Sequence, residues 1–154
     1  MLDQPQIVQT EAKPAAVIRL TIPRNKIQEV MGPAMGEVMA AVAAAGIKPA
    51  GPMFSHHFKM SPDIFDFEVG VPLASPITAS GRVLPSELQA ARVARTTYRG
   101  PYEGLGEAWG EFNDWLESEG LPLAPDLWEC YVSGPESGPD SSTWATELNK
   151  PLAG

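Results

Sequence analysis

A glutamate and a tyrosine two positions apart, Glu129 and Tyr131, are the residues of this sequence best suited to chemistry. They fall in Leu127 to Val132, which we interpret as a strand, and alternate side chains of a strand share one face. A carboxylate in the middle of a strand is costly unless it is paired, hydrated or used by a ligand. Beside an aromatic ring it can attract a cation or accept hydrogen bonds from a ligand.

The other side chains of this strand, Trp128, Cys130 and Val132, point to the opposite face. We expect that apolar set to be the core covered by a helix. Glu129 and Tyr131 would then lie on the open face of the sheet.

A second acid, Glu147, lies on the next predicted strand, Thr143 to Leu148. We expect Glu129 and Glu147 to line one aromatic cleft, where a pair of acids would favour a cation. The alternative is that both are ordinary solvated strand glutamates, and spacing alone leaves both interpretations open.

The sequence gives no support to a metal or cofactor site. His56 and His57 are adjacent on a predicted strand, so their side chains point to opposite faces and cannot share one metal ion. We do not expect Cys130 to be a nucleophile, because a thiol in an apolar core behaves as a small apolar group. The glycines around position 104 miss both common phosphate-loop spacings.

The composition excludes several classes of protein. Nineteen acidic residues against eleven basic ones give a net charge of -8, so we expect no direct binding of nucleic acid. The first ten residues lack the basic and apolar regions of an export signal, and no apolar stretch could span a bilayer. A single cysteine, Cys130, suits a reducing compartment. These features predict a cytoplasmic protein that does not enter membranes.

An internal repeat organises the chain. A shift of 74 residues lays Arg24 to Phe58 over Tyr98 to Val132 without a gap, with seven identities in 35 positions. This alignment places Ser55 and His57 over Glu129 and Tyr131. We interpret the repeat as a tandem duplication.

Each half shows the same order of signals: a strand, an amphipathic helix and two further strands. In the first half these are Ala16 to Ile22, Ile27 to Val42 with an end at Gly46, and then Met53 to Lys59 and Asp63 to Val71, joined at Ser61-Pro62. In the second half they are Glu87 to Tyr98, Leu105 to Leu116 with an end at Gly120, Leu127 to Val132, and Thr143 to Leu148. The loop from Ser133 to Asp140 is about five residues longer than its counterpart.

These signals predict an α+β fold of two tandem βαββ repeats, about 6–75 and 80–152, within a single domain 1–154. We expect an antiparallel sheet with pseudo-two-fold symmetry and two long helices on one face. A ligand pocket would lie between the repeats.

Three segments of the second half carry a family resemblance: Tyr98 to Trp109, Trp128 to Tyr131 and Thr146 to Leu152. They resemble the GyrI-like family, which also occurs as the effector-binding domain of AraC-type and BmrR-type transcription regulators. The resemblance runs from about Pro5 to Leu152. The helix start of the second half, Gly100-Pro101-Tyr102-Glu103, is among the most specific parts of the resemblance. The first half departs from it, with Asn25-Lys26-Ile27-Gln28 at the place where Gly-Pro-Tyr would repeat.

The resemblance implies a pocket that takes up aromatic, often cationic compounds around a buried glutamate. By motif that glutamate is Glu129, while Glu147 matches a second acidic position and Tyr102 matches a tyrosine at the helix start. From face and symmetry we add Trp109, Phe67 and His57 as wall residues.

We therefore expect a standalone domain that binds a small hydrophobic or cationic organic ligand, as a monomer or a dimer. A first alternative is a hydrolase that opens strained cyclopropane rings of genotoxic compounds. Glu129 would then act as general base, with Tyr131 or Tyr102 as hydrogen-bond donor. A second alternative is an inhibitor that acts through protein contacts, as gyrase inhibitors of this kind do.

Overall fold

The computed structural model describes residues 2–60, 63–133, 138 and 140–153. The expected turn at Ser61-Pro62 and most of the longer loop before Asp140 lie outside the described residues. In chain order the elements are β1 (Gln6–Gln9), β2 (Lys13–Pro23), α1 (Ile27–Ala44), β3 (Phe54–Met60), β4 (Ile64–Pro72), β5 (Leu84–Leu88), β6 (Arg92–Arg99), α2 (Leu105–Ser118), β7 (Leu127–Ser133) and β8 (Ala145–Pro151). The fold is α+β, and its strand pairs are antiparallel, as the sequence predicts.

The chain divides into two compact units, Glu11–Ala90 and a second unit of Met1–Thr10 with Ala91–Gly154. In the first unit the strand order is β3-β4-β2-β5. Its helix α1 buries small and branched residues at four-residue spacing, Ala34, Val38 and Val42. These pack against alternate residues of β2 and β4, among them Ile18, Phe67 and Val69.

In the second unit the strand order is β1-β6-β8-β7. Its helix α2 buries Ala108, Phe112 and Leu116, again at four-residue spacing. These pack against Tyr98 of β6 and Leu148 of β8. Each unit therefore has its own core between one helix and one face of its strands.

The two units repeat the same local geometry, which confirms the duplication. Each has a register shift at equivalent places, between His57 and Lys59 in β3 and between Tyr131 and Ser133 in β7. Gly46 and Gly120, each just after a helix, have φ angles of 70° and 64°. Positive φ is costly for residues with a Cβ, so glycine is the expected residue at these ends.

In the segments just before the two helices, the structure pairs other residues as equivalent than the gapless alignment does. A 3-10 turn precedes each helix, Arg24–Lys26 before α1 and Tyr102–Gly104 before α2, and each turn follows a proline. These turns are 78 positions apart rather than 74, because α1 has 18 residues and α2 has 14. Four residues are about one helical turn. Arg24, and not a residue of Asn25 to Gln28, is therefore the counterpart of Tyr102.

The strand expected from Glu87 to Tyr98 is wrong, because two separate strands occupy this stretch. β5 pairs with β2, whereas β6 pairs with β8 and with β1, a strand that the sequence did not predict. A continuous run of strand-forming residues does not show that its two ends have different partners. Consequently each compact unit combines strands from both sides of the expected repeat boundary.

Within the described part of the chain, helices α1 and α2 are both too short or too polar to cross a membrane.

Candidate functional site

Glu129 is the centre of a cluster that joins β7 to α2. Its side chain is buried, and both carboxylate oxygens accept hydrogen bonds. Trp109 Nε1 on α2 donates to Oε2 over 2.6 Å, and the Tyr131 hydroxyl, two residues along β7, donates to Oε1 over 2.9 Å. Such donors offset the cost of burying a carboxylate and fix its orientation.

Two more aromatic side chains extend the cluster. Tyr102, in the turn before α2, lies edge-on to Tyr131 with ring centroids 5.8 Å apart. It also contacts Trp144, just before β8, at 5.1 Å. We call Glu129, Trp109, Tyr131, Tyr102 and Trp144 the Glu129 cluster.

Trp144 is a member of the cluster that the sequence did not predict. Equivalent residues of β4 and β8 are 79 positions apart, so Trp144 is equivalent to Phe65 of the first unit. The five extra residues of the loop before β8 account for the difference from 74.

A buried hydroxyl adjoins the cluster without a hydrogen bond. Thr146 on β8 pairs with Tyr131 on β7, and its side chain is fully buried. Its Oγ1 atom has no hydrogen-bond partner in the part of the chain that the structure describes.

The expectation that Glu129 lies on an open face is wrong. Glu129 pairs with Leu148, which packs with Phe112 and Leu116 of α2, and Trp109 of α2 reaches the carboxylate itself. Glu129 therefore faces the helix. Alternation divides the residues of a strand into two sets, but it does not say which set the helix covers.

The opposite set, expected to be helix-covered core, faces away from α2. Trp128 and Cys130 are nevertheless buried there, with 3% and 9% of their surface exposed. Val132, predicted as core, is 53% exposed and lies at the register shift between Tyr131 and Ser133, where the alternation is interrupted.

Glu147 does not share a cleft with Glu129, and that prediction is wrong. Glu147 pairs with Cys130, so it points to the face opposite Glu129. There its Oε1 atom lies 3.3 Å from Arg95 Nε and accepts a hydrogen bond of 3.3 Å from Asn149 Nδ2. The charge of Glu147 is thus balanced by a side chain of its own unit.

Cys130 is buried beside this pair, as predicted. Burial, and then the nearby charge of Glu147, raise the pKa of its thiol to about 12. A thiol that stays protonated at neutral pH is a poor nucleophile.

His57 and Phe67 belong to the first unit and form a cluster of their own. Their rings stack with centroids 4.8 Å apart, and Phe65 lies edge-on to His57 at 5.1 Å. The Arg24 guanidinium lies over the Phe65 ring at 4.6 Å. We call these four residues the His57 cluster.

His57 is neutral at physiological pH. Burial lowers its pKa to about 4, with smaller contributions from the neighbouring His56 and Arg24 charges. His56 points the other way, since it pairs with Glu68 while His57 pairs with Phe67. Among the described residues, no three histidine, cysteine or acidic side chains come together as metal ligands would.

The two clusters occupy equivalent positions of the duplicated unit. Tyr131 stands where His57 does, Trp144 where Phe65 does, and Tyr102 where Arg24 does. Glu129 takes the place of Ser55, which pairs with Val69 as Glu129 pairs with Leu148. After divergence, the Glu129 carboxylate therefore occurs only in the second copy, and the His57 imidazole and the Arg24 guanidinium occur only in the first.

A groove of about 550 Å³ runs beside the outer side of α2. Tyr98, Gly104 and Ala108 form part of it, together with three acids, Glu107, Glu111 and Asp114. No member of the Glu129 cluster contributes to this groove.

The fold is similar to those of four solved structures, which come from three proteins. The C-terminal domain of EcmrR is 19% identical, with a TM-score of 0.85 over 97% of both chains. EcmrR in a DNA complex is 21% identical, with a TM-score of 0.84 over 97% of this chain, which spans 57% of that chain. A hydrolase from Listeria innocua is 11% identical, with a TM-score of 0.62 over 97% of this chain and 92% of the other.

SAV2435, in a structure bound to tetraphenylphosphonium, is 12% identical, with a TM-score of 0.69 over 99% of this chain and 95% of the other. At these identities the likenesses establish the fold alone. No curated protein matches the sequence. The model of the GyrI-like small-molecule-binding domain matches residues 3–153, and the chain therefore belongs to the GyrI-like family.

Proposed function

We propose that this domain binds small amphipathic organic molecules, aromatic or cationic, at the Glu129 cluster. The observation that carries the proposal is a buried carboxylate held by Trp109 and Tyr131 among aromatic rings. A carboxylate provides the charge and the rings provide apolar and π surface, which together suit a lipophilic cation.

The geometry supports a preorganised site. The two donors hold the carboxylate in place before a ligand arrives, so little ordering is left to binding. Tyr102 is half-buried and belongs to a short turn rather than to a strand or a long helix. Displacement of its ring is the simplest way for a ligand to reach Glu129.

SAV2435, which has a similar fold, has been seen with tetraphenylphosphonium, a lipophilic aromatic cation. That compound is therefore the first ligand to try. Glu147 is left out of the proposed site, because it faces away from Glu129 and is paired with Arg95.

The test is a calorimetric titration of tetraphenylphosphonium into the wild type and into Glu129→Gln, with Glu147→Gln as matched control. The control removes a carboxylate of the same unit on the neighbouring strand, but on the opposite face. We expect saturable binding that Glu129→Gln weakens by at least about tenfold, or about 1.4 kcal/mol, and that Glu147→Gln leaves unchanged.

Equal weakening by both substitutions would show a general charge effect and would overturn the assignment to Glu129. If the wild type binds neither tetraphenylphosphonium nor a second cation, rhodamine 6G, the proposed binding function is rejected. The protein-contact alternative, which requires an exposed surface, would then be favoured.

A second candidate is hydrolysis, favoured by the direct hydrogen bond between Tyr131 and Glu129. Glu129 would take a proton from water, whose oxygen forms a bond to a cyclopropane carbon as the ring bond breaks. The electron pair moves to a conjugated carbonyl oxygen, which the Tyr131 or Tyr102 hydroxyl stabilises by a hydrogen bond. The proton from water then completes the ring-opened product.

Mass spectrometry of an electrophilic cyclopropanoid incubated with the protein separates the two candidates. A hydrolase produces a compound heavier by one water, and Tyr131→Phe and Glu129→Gln each slow its formation by about a hundredfold or more. Saturable binding without this product rejects the enzyme.

A further inference from the structure

The His57 cluster contains a buried polar atom that nothing in the fold explains. His57 is 5% exposed, and its Nδ1 atom has no hydrogen-bond partner among the residues that the structure describes. Buried polar atoms are nearly always paired, so an unpaired one calls for a ligand or a water molecule. The ring itself is held by Phe67 on one side and Phe65 at its edge.

The second unit repeats this feature at the equivalent position. His57 pairs with Phe67 across β3 and β4, and the corresponding pair across β7 and β8 is Tyr131 with Thr146. There Thr146 Oγ1 is the buried atom without a partner. In both copies, therefore, the same cross-strand pair of the helix-facing side contains one unsatisfied polar atom beside aromatic rings.

The charged side chains of the two clusters have opposite signs. The His57 cluster has Ser55 where the other copy has Glu129, and Arg24 where it has Tyr102. The guanidinium of Arg24, which lies over the Phe65 ring, gives this cluster a positive charge. A neutral imidazole offers an acceptor nitrogen, and a guanidinium attracts an anion.

We propose that the His57 cluster is a second binding subsite, for a planar aromatic molecule that has both a hydroxyl or N–H group and an anionic group. The hydroxyl or N–H donates to His57 Nδ1, and the anionic group lies near Arg24. The half-buried ring of Phe65 provides an apolar wall, and Phe67 holds the His57 ring in place from the core side. The subsite goes beyond the proposed function, because it involves neither Glu129 nor a cation.

Two fluorescent probes test the hydrogen bond directly. 6-Hydroxy-2-naphthoate has the hydroxyl donor and the carboxylate, and 2-naphthoate lacks only the hydroxyl. We expect the wild type to bind the hydroxy compound about tenfold more tightly, since a buried acceptor rejects a ligand that leaves it unpaired. His57→Phe retains a ring for stacking, and we expect it to bind both probes equally.

Two controls keep the result interpretable. Glu129→Gln should preserve the tenfold preference, so that failure of this subsite and failure of the Glu129 site are distinguished. Arg24→Gln should weaken both probes by the same factor, because both have the carboxylate. Thermal melting checks that each variant is folded.

A measurement on the wild type covers the case in which His57→Phe does not fold. Nitrogen-15 NMR of the imidazole should show a shift of Nδ1 on addition of the hydroxy compound and a much smaller one with 2-naphthoate. The proposal is overturned if the wild type binds both probes equally, if His57→Phe keeps the preference, or if Nδ1 responds to neither probe, as an atom already bonded to an internal water would.

Discussion

Trp109 on α2 donates a hydrogen bond of 2.6 Å to Glu129 on β7, and this bond ties the helix to the strand at the candidate site. Replacement of Trp109 by phenylalanine keeps an aromatic ring but removes the donor. We expect a loss of about 1–3 kcal/mol in the free energy of unfolding, because a buried carboxylate oxygen is left without its partner. Urea denaturation measures it.

The matched control for this prediction is Trp115→Phe, on the same helix and packed against the same core. Among the described residues the Trp115 indole donates no hydrogen bond, so only packing is lost there. A loss as large in Trp115→Phe as in Trp109→Phe would contradict a role for the hydrogen bond.

The buried His57 makes the stability of the protein depend on pH. Burial lowers its pKa from 6.5 to about 4 in the folded state. The unfolded state therefore binds the proton first, and the stabilisation present above pH 6.5 is lost as the pH falls towards 4. Between pH 7 and pH 5 this amounts to roughly 2 kcal/mol.

Urea denaturation of the wild type and of His57→Phe at both pH values isolates this contribution. The wild type should lose roughly 2 kcal/mol more than the variant on going from pH 7 to pH 5. Parallel losses in the two proteins would show that His57 is not buried as a neutral group.

The single cysteine should be inert in the folded protein. The pKa of Cys130 rises from 9.0 to about 12, so at pH 8 the fraction of thiolate is about a thousandfold lower than in the unfolded chain. Ellman's reagent should therefore react with the native protein at least about a hundredfold more slowly than with the protein in urea. Comparable rates would contradict the burial of the thiol.

Replacement by alanine should change the stability of the protein in opposite directions at two glycines, Gly120 and Gly110. Gly120 has a φ of 64°, so Gly120→Ala should destabilise the protein by about 1 kcal/mol, although the space around it is open. Gly110 lies inside the helix with nothing within 4 Å of an added Cβ, so Gly110→Ala should stabilise it by about 1 kcal/mol. Thermal unfolding of the pair checks both signs.

Local signals made much of the fold predictable. Each helix ends two residues before a glycine of positive φ, Gly46 or Gly120, the apolar residues recur at helical spacing, and both copies follow the same order of elements. The offset of 74 therefore held for the helix ends and for the first strand after each helix, whereas the last strands, β4 and β8, are offset by 79. It failed before the helices because α2 lacks one turn, and removal of a whole turn leaves an amphipathic pattern almost unchanged.

The candidate site was predictable only in part. Motif and position predict Glu129, Tyr131, Tyr102 and Trp109, and the structure brings these four together. Trp144 was missed, although the five extra residues of the loop before β8 place it over Phe65, and only the contact of its ring with Tyr102 shows that it belongs to the cluster.

The sequence by itself determined which residues share a face, since side chains alternate along a strand whatever its surroundings. It also determined that the chain contains two copies of one unit, and that Glu129 of the second copy has a serine, Ser55, as its counterpart in the first. The tertiary structure decided which face the helix covers, and so it placed Glu129 beneath α2 and Glu147 on the opposite side with Arg95. The apolar set of β7, Trp128, Cys130 and Val132, favoured the wrong face, because in β7 and β8 taken together both faces contain aromatic and polar residues. Only the packing of the helix against one of the faces decides between them.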